Sequence, residues 1–217
     1  FGSDASLGQV WRLGRDDSVL MRATLEVGRS RLAGLAATEK AIYVADAAND
    51  RLLVLDPASL ALVGQLAAGP APFALARSGD LLAIGLAGTD VVRLIPLSDL
   101  GHFSPTAAAD IHLGGLGHPQ ALAFDAAGRR LYALFLYTPR YHRIAEIDVR
   151  TGRVLRRLGG DLERLLTGVH SLALIDDRLL LPEAGRLHRY DLAAGRWLPA
   201  VVDGRLTAWL AEDVTGR

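Results

Sequence analysis

LAATEKAIYVADAANDRLLVLDPASLALVGQLAAG, residues 35–69, is the stretch whose reading decides the fold. It holds four short apolar runs. Ala36-Ala37 closes the first, Ile42-Tyr43-Val44 is the second, Leu52-Leu53-Val54-Leu55 is the third, and Leu60-Ala61-Leu62-Val63 opens the fourth, which ends at Gly69. Asp, Asn, Pro and Gly stand between them. Helices need ten or more periodic positions, so these runs read as strands despite their Ala and Leu. Asp56-Pro57 and the glycines are turn residues. The pattern returns about every 44 residues, a period in the range for propeller blades.

Working outward, the segments that close each unit end at Gly28, Gly69, Gly115, Gly160 and Gly204. Second strands are read at AIYVAD, LLAIGL, RLYALF and LLLPEA, and third strands at RLLVLD, VVRLIP, RIAEID and LHRYDL. Four short strands per unit make a β-meander, and meanders arranged radially make a propeller. The segment DLERLLT, residues 161–167, is the one expected helix. At the N-terminus, Phe1 falls in a second strand, Gly8 to Gly14 in a third and Ser18 to Val27 in a fourth, while the C-terminal RLTAWLAEDVTGR supplies a first strand. The expectation is an all-β, single-domain β-propeller over residues 1–217, of four-stranded antiparallel blades. Four blades are whole and the fifth is shared between the two ends, which removes unpaired edges. The alternative is a fragment of a longer array cut at complementary points, and the start at Phe1 rather than Met suits a processed or partial chain.

Of the 217 residues, 50% are hydrophobic and 22% charged, with 24 basic and 24 acidic side chains. A neutral chain lacks the basic stripe of a nucleic-acid binder, so no nucleic-acid partner is expected. There is no cysteine, which excludes disulfides, thiolate metal sites and cysteine nucleophiles. No apolar run approaches a membrane span in length, and no signal peptide is read.

Residues 43–74 carry a resemblance. Tyr43-Val44 on the second strand, Asn49 in the following turn, Val54-Leu55-Asp56 on the third strand and the Gly69-to-Ala74 step GPAPFA resemble the YVTN-type β-propeller repeat. Val44 to Arg51 also resembles the NHL repeat, and HPQALAFDAAGRRLYAL, residues 118–134, is similar to the same superfamily. The resemblance implies a propeller, though more often of seven blades. It further implies a function among binding proteins, redox-enzyme subunits and lactonases, and favours a periplasmic or extracellular location. It assigns no catalytic residue, because its motifs are structural.

In a propeller, the loops before each inner strand and between strands two and three surround the channel mouth. Position by position, one ring holds Arg31, Ala71, His118, Gly168 and Arg205, and the next Ala33, Phe73, Gln120, His170 and Thr207. Arg31, His118, Gln120, His170 and Arg205 are therefore candidates for binding an anion or carboxylate, by arginine forks and titratable imidazoles. The same residues also read as solvated or loop-pinning side chains. A metal would need a third ligand beside His118 and His170, from Asp161 or Glu163, and no metal-ligand spacing appears, so neither metal nor cofactor is expected.

FLYTPRYHR, residues 135–143, is longer than its counterparts and reads as an inserted loop. Its Tyr137, Arg140, Tyr141, His142 and Arg143 are the candidate contacts for a protein partner, tyrosine and arginine being enriched at binding hot spots. The alternative is a loop folded back over a neighbouring blade. Asp46 and Glu183 end equivalent second strands, and Asp46 with Asn49 reads as a turn cap. Trp11, Trp197 and Trp209 read as packing between blades. These readings favour a non-catalytic binding or assembly module presenting one loop face to a protein. The alternatives are a hydrolase- or lactonase-like enzyme, or a non-catalytic subunit of a redox complex, with a site at the channel mouth.

Overall fold

The structure, a computed structural model, describes residues 1–4, 8–16, 18–25, 31–97, 108–139, 141–158, 169, 171–183 and 185–202. Strands β1 (Gly2–Asp4), β2 (Gln9–Leu13) and β3 (Val19–Thr24) form a three-stranded N-terminal sheet. Blade 1 is β4 (Leu32–Ala37), β5 (Ile42–Asp46), β6 (Arg51–Leu55) and β7 (Leu62–Ala67). Blade 2 is β8 (Pro72–Ser78), β9 (Leu81–Leu86), β10 (Val91–Pro96) and β11 (Ala109–His112). Blade 3 is β12 (Gly117–Phe124), β13 (Arg130–Thr138), β14 (Tyr141–Asp148) and β15 (Arg153–Leu158). Blade 4 is β16 (Ala173–Ile175), β17 (Arg178–Glu183), β18 (Arg186–Asp191) and β19 (Arg196–Val202). Each is an antiparallel meander in chain order, and no helix occurs among the described residues. The expected second and third strands all form. The helix expected over 161–167 lies outside the described residues.

Inner strands pack in succession, β4 on β8, β8 on β12 and β12 on β16. In blades 1 and 2 the second strand also leans on the next inner strand, β5 on β8 and β9 on β12. β1 leans on β4 in the same way, so the N-terminal sheet holds the second, third and fourth positions of a blade. Its first position is empty among the described residues.

Because blades stack face to face, both faces of the second strands of blades 1 and 2 are buried, and those strands read as continuous apolar runs instead of alternating ones. All of β5 is buried, and β9 is buried from Leu82 to Leu86. Alternate residues of one strand feed two different cores. Ile42 and Val44 pack toward the N-terminal sheet, with Val10, Leu53 and Leu55. Tyr43 and Ala45 pack toward blade 2, with Leu82, Ile84 and Ile95. Glycine permits the closest approach. A Cβ on Gly34 of β4 would lie 2.5 Å from the Phe73 carbonyl oxygen and 2.8 Å from the Leu75 nitrogen of β8.

Side-chain caps repeat at the turns from the third to the fourth strand. Asp56 Oδ1 accepts from Ser59 N at 2.7 Å, Asp148 Oδ1 from Thr151 N at 2.9 Å and Asp191 Oδ1 from Ala194 N at 2.8 Å. Gly152 and Gly195 then take positive φ, while blade 1 puts Leu60 there, at φ +57°.

Candidate functional site

The face expected to surround a channel mouth is built from the links that enter the inner strands and the turns between strands two and three. In blade 1 the turn is organised by Asp46, fully buried. Its Oδ2 accepts from Asn49 Nδ2 at 2.8 Å and Arg51 Nε at 2.9 Å, and its Oδ1 accepts from the Arg31 amide at 3.3 Å. The expected turn cap is therefore present, and it also ties the link before β4 to the turn after β5. Asp50 and Asp90 continue the pattern between blades. Asp50 Oδ1 accepts from the Ala71 amide at 2.8 Å, and Asp90 Oδ2 from the Gly114 amide at 3.1 Å.

Arg31 and His118, two of the ring residues, stand exposed on this face, at the starts of blades 1 and 3 with blade 2 between them. His118 holds φ +53° and donates its amide to the Thr89 carbonyl at 2.9 Å. Ala71, its counterpart in blade 2, holds φ +46°. The left-handed turn is thus part of how a link enters an inner strand, and histidine is among the residues that tolerate it better. Gln120 is half-buried on β12. His170 and Arg205 lie outside the described residues, as do Asp161 and Glu163. Among the described residues, no three His, Cys, Asp or Glu side chains could share a metal ion.

The stretch 135–143 differs from its reading as a loop. β13 and β14 run on through it as a hairpin, paired Leu136 to His142 and Thr138 to Tyr141, with a register shift between. Tyr132, Phe135, Tyr137 and Thr138 on β13 and Tyr141, Ile144 and Ile147 on β14 favour the extended chain. Phe135 is fully buried, and the Tyr137 ring meets it edge-on at 6.2 Å between centroids. The Arg143 guanidinium carbon lies 3.9 Å from the centre of the Tyr137 ring, a cation–π pair. The Tyr137 carbonyl accepts from the Leu116 amide at 3.3 Å, fixing the hairpin to the link from blade 2. Tyr141 is 40% exposed at the tip, and Leu116 on that link is 52% exposed. His142 turns inward and is 9% exposed, on the side of the strand that Ile144 shares. Arg140 lies outside the described residues.

Glu146 and His188 escaped the sequence reading because they lie in the middle of third strands, among residues read only for their part in the strand. Glu146, 7% exposed, faces blade 4 from β14. It accepts from Arg156 Nε at 2.5 Å and pairs with Arg130 at 3.5 Å, while Arg130 reaches Asp148 at 2.5 Å. Burial, reinforced by the Glu146 carboxylate, pushes the neighbouring Tyr132 hydroxyl up to about 12. In blade 4, His188 Nε2 meets Glu183 Oε2 at 2.7 Å, and Trp197 packs edge-on against His188 and Tyr190.

Arginines also clasp neighbouring blades. Arg93 Nη1 donates to the Ala68 carbonyl at 3.0 Å, while its fork holds Asp110 at 2.6 and 2.7 Å. That fork lowers the Asp110 carboxyl from its ordinary value, against an opposing desolvation. Arg157 Nη2 donates to the Leu113 carbonyl at 2.7 Å. Ala68 and Leu113 are matching residues, each donating its amide to the start of its own third strand, at Asp50 and Asp90. The donors do not match: Arg93 comes from a third strand and Arg157 from a fourth, where it pairs with Ala145, the counterpart of Arg93.

No protein-family model matches the sequence, and no curated protein matches it. Solved structures do. A virginiamycin B lyase from Staphylococcus aureus superimposes with a TM-score of 0.67 at 12% identity, covering 91% of this chain and 64% of that one. The hydrazine synthase of Kuenenia stuttgartiensis gives 0.66 at 17% identity, over 90% of this chain and 61% of that one. Sqt1 of Saccharomyces cerevisiae gives 0.63 at 12% identity, over 91% and 57%. The chain thus spans about three fifths of the length of these neighbours. At such identities the likeness speaks to fold alone, and with the successive four-stranded meanders it makes this chain an all-β protein of the β-propeller type.

Proposed function

We propose that the chain is a non-catalytic propeller module that binds a protein partner through the hairpin tip of blade 3. The observation that carries this is the Tyr137–Arg143 pair with Tyr141 exposed beside it. β13 and β14 run to 9 and 8 residues where the corresponding strands of blades 1, 2 and 4 have 5 or 6, so the tip stands on a longer hairpin than its neighbours. A cation already stacked on a ring loses little freedom on binding, and tyrosine offers a large contact area with few rotatable bonds. Arg140 belongs to the same proposed contact set, while the buried His142 supports the tip from behind. Native mass spectrometry of the protein drawn gently from its source should find a companion chain. Tyr141→Ala with Arg143→Ala should weaken that complex about tenfold or more with an unchanged circular-dichroism spectrum. Unchanged affinity overturns the assignment.

The competing reading is an enzyme of hydrolase or lactonase type, or a redox-complex subunit, using Arg31, His118, Gln120, His170 and Arg205 at the channel mouth. Its support is the exposed His118 on a left-handed backbone, since such backbones gather at functional sites. The same backbone at Ala71 weighs against it. The YVTN-type repeat, and the periplasmic or extracellular setting it implies, belong to the proposal as well. They are supported by Tyr43-Val44 on β5, the Asn49–Asp46 bond in the turn and the Asp56 cap after β6.

The single domain and its closure are proposed on similar grounds. Residues 205–211 would fill the first position of the N-terminal sheet, beside β1, which is supported by the packing of β1 on β4.

A further inference from the structure

Every sheet ends on an outer strand, β3, β7, β11, β15 or β19, whose far edge has no strand beside it among the described residues. An unpaired edge is a template for another strand, and natural proteins blunt such edges with charge or proline. Four of the five are blunted in that way. β3 carries Arg22, β11 carries Asp110 and His112, β15 carries Arg153, Arg156 and Arg157, and β19 carries Arg196 and Pro199. β7, Leu-Val-Gly-Gln-Leu-Ala, carries neither a charge, a histidine nor a proline.

Two of its apolar side chains are also in water, while Leu66 packs against the core. Leu62 is 46% exposed and Val63 64%. The register shift that marks a bulge falls between Val54 and Leu55, opposite the start of β7, so residues 64–67 keep regular register with β6. The side-chain oxygen of Gln65 is already taken, by Arg51 Nη1 at 2.6 Å. What β7 offers a partner is therefore backbone and aliphatic surface.

The occupant that fits is a second β7. An antiparallel pair related by a twofold axis is self-complementary, each residue meeting in the partner what the partner meets in it. For β7 no like charges are brought together, whereas self-pairing of β15 would set arginine against arginine. We propose that this chain forms a twofold dimer through the edges of its two β7 strands, joining the two blade 1 sheets into one. The surface lies on the outer rim, away from the blade 3 hairpin tip, so the dimer is independent of the partner proposed above.

Sedimentation of the full chain from about 1 µM to 1 mM tests this, the range over which a contact of this kind dissociates. The wild type should pass from one chain mass to two. Val63→Lys should hold it at one mass across the range. Leu20→Lys, at a site 59% exposed on β3, should dimerise as the wild type does. Hydrogen exchange adds a reading at the backbone: amides within 63–67 should gain protection as concentration rises in the wild type and not in Val63→Lys. A wild type that stays at one mass overturns the proposal. So does a Val63→Lys chain that still dimerises, a Leu20→Lys chain that does not, or a dimer in which 63–67 gain no protection.

Discussion

Asp46 is a buried carboxylate among aliphatic neighbours, held by the Arg51 and Asn49 side chains and the Arg31 amide. Asp46→Ala leaves those donors facing a small apolar residue. It should cost roughly 2–4 kcal/mol, because breaking one half of a buried pair strands the other; a urea midpoint shifted by less than about 1 kcal/mol equivalent would contradict the geometry. Leu60 shows two effects of opposite sign. Its left-handed backbone costs about 1–2 kcal/mol, while its side chain, 1% exposed, gains about 2–3 kcal/mol from burial. Burial wins, so Leu60→Gly should destabilise by about 1 kcal/mol despite freeing the backbone. At Tyr132 the sign is set by linkage. Its folded hydroxyl titrates near 12 and its unfolded one near 10. The folded state therefore keeps a proton that the unfolded state has lost, and the contribution is whole below pH about 10 and disappears as pH climbs to about 12. Denaturation followed across that window should show an alkaline loss that Tyr132→Phe flattens.

At the scale of the element, strands were legible because burial on both faces leaves an unbroken apolar run that only turn residues interrupt. AIYVAD was read where β5 forms, and VVRLIP where β10 forms. The hairpin of blade 3 was read as a loop because residues 135–143 exceed their counterparts in length, while β13 and β14 use that length to go on pairing with each other. The direction of His142 was missed as well. His142 follows the alternation of β14 and shares the side of Ile144, but the alternation was not applied because the stretch was read as a loop and not as a strand. Asp46 was legible as a cap through Asn49, but its bond to the Arg31 amide joins two turns that only the fold brings together. Close approach is also an element property. Gly34→Ala should cost about 1–3 kcal/mol, since the β8 backbone has nowhere to retreat; calorimetric Tm is the measurement.

For the whole molecule, closure of the ring makes a prediction of its own. If residues 205–211 complete the N-terminal sheet, removing 205–217 exposes the edge of β1 and should lower Tm by several degrees. The exchange protection lost should be concentrated on residues 2–4 and 32–37. An unchanged Tm would say that the N-terminal sheet is finished by something else. The arginine clasps carry a different consequence. Across one seam the guanidinium that reaches the preceding blade starts from a third strand, and across the next from a fourth, yet both arrive at matching carbonyls. The bond recurs at the two seams while its donor changes strand. A designer who copied blade 2 into blade 3 at this column would write arginine at position 145 to match Arg93 while retaining Arg157 beside it. Two cations would then compete for one oxygen, and the idealised repeat would be weaker than the irregular chain from which it was drawn.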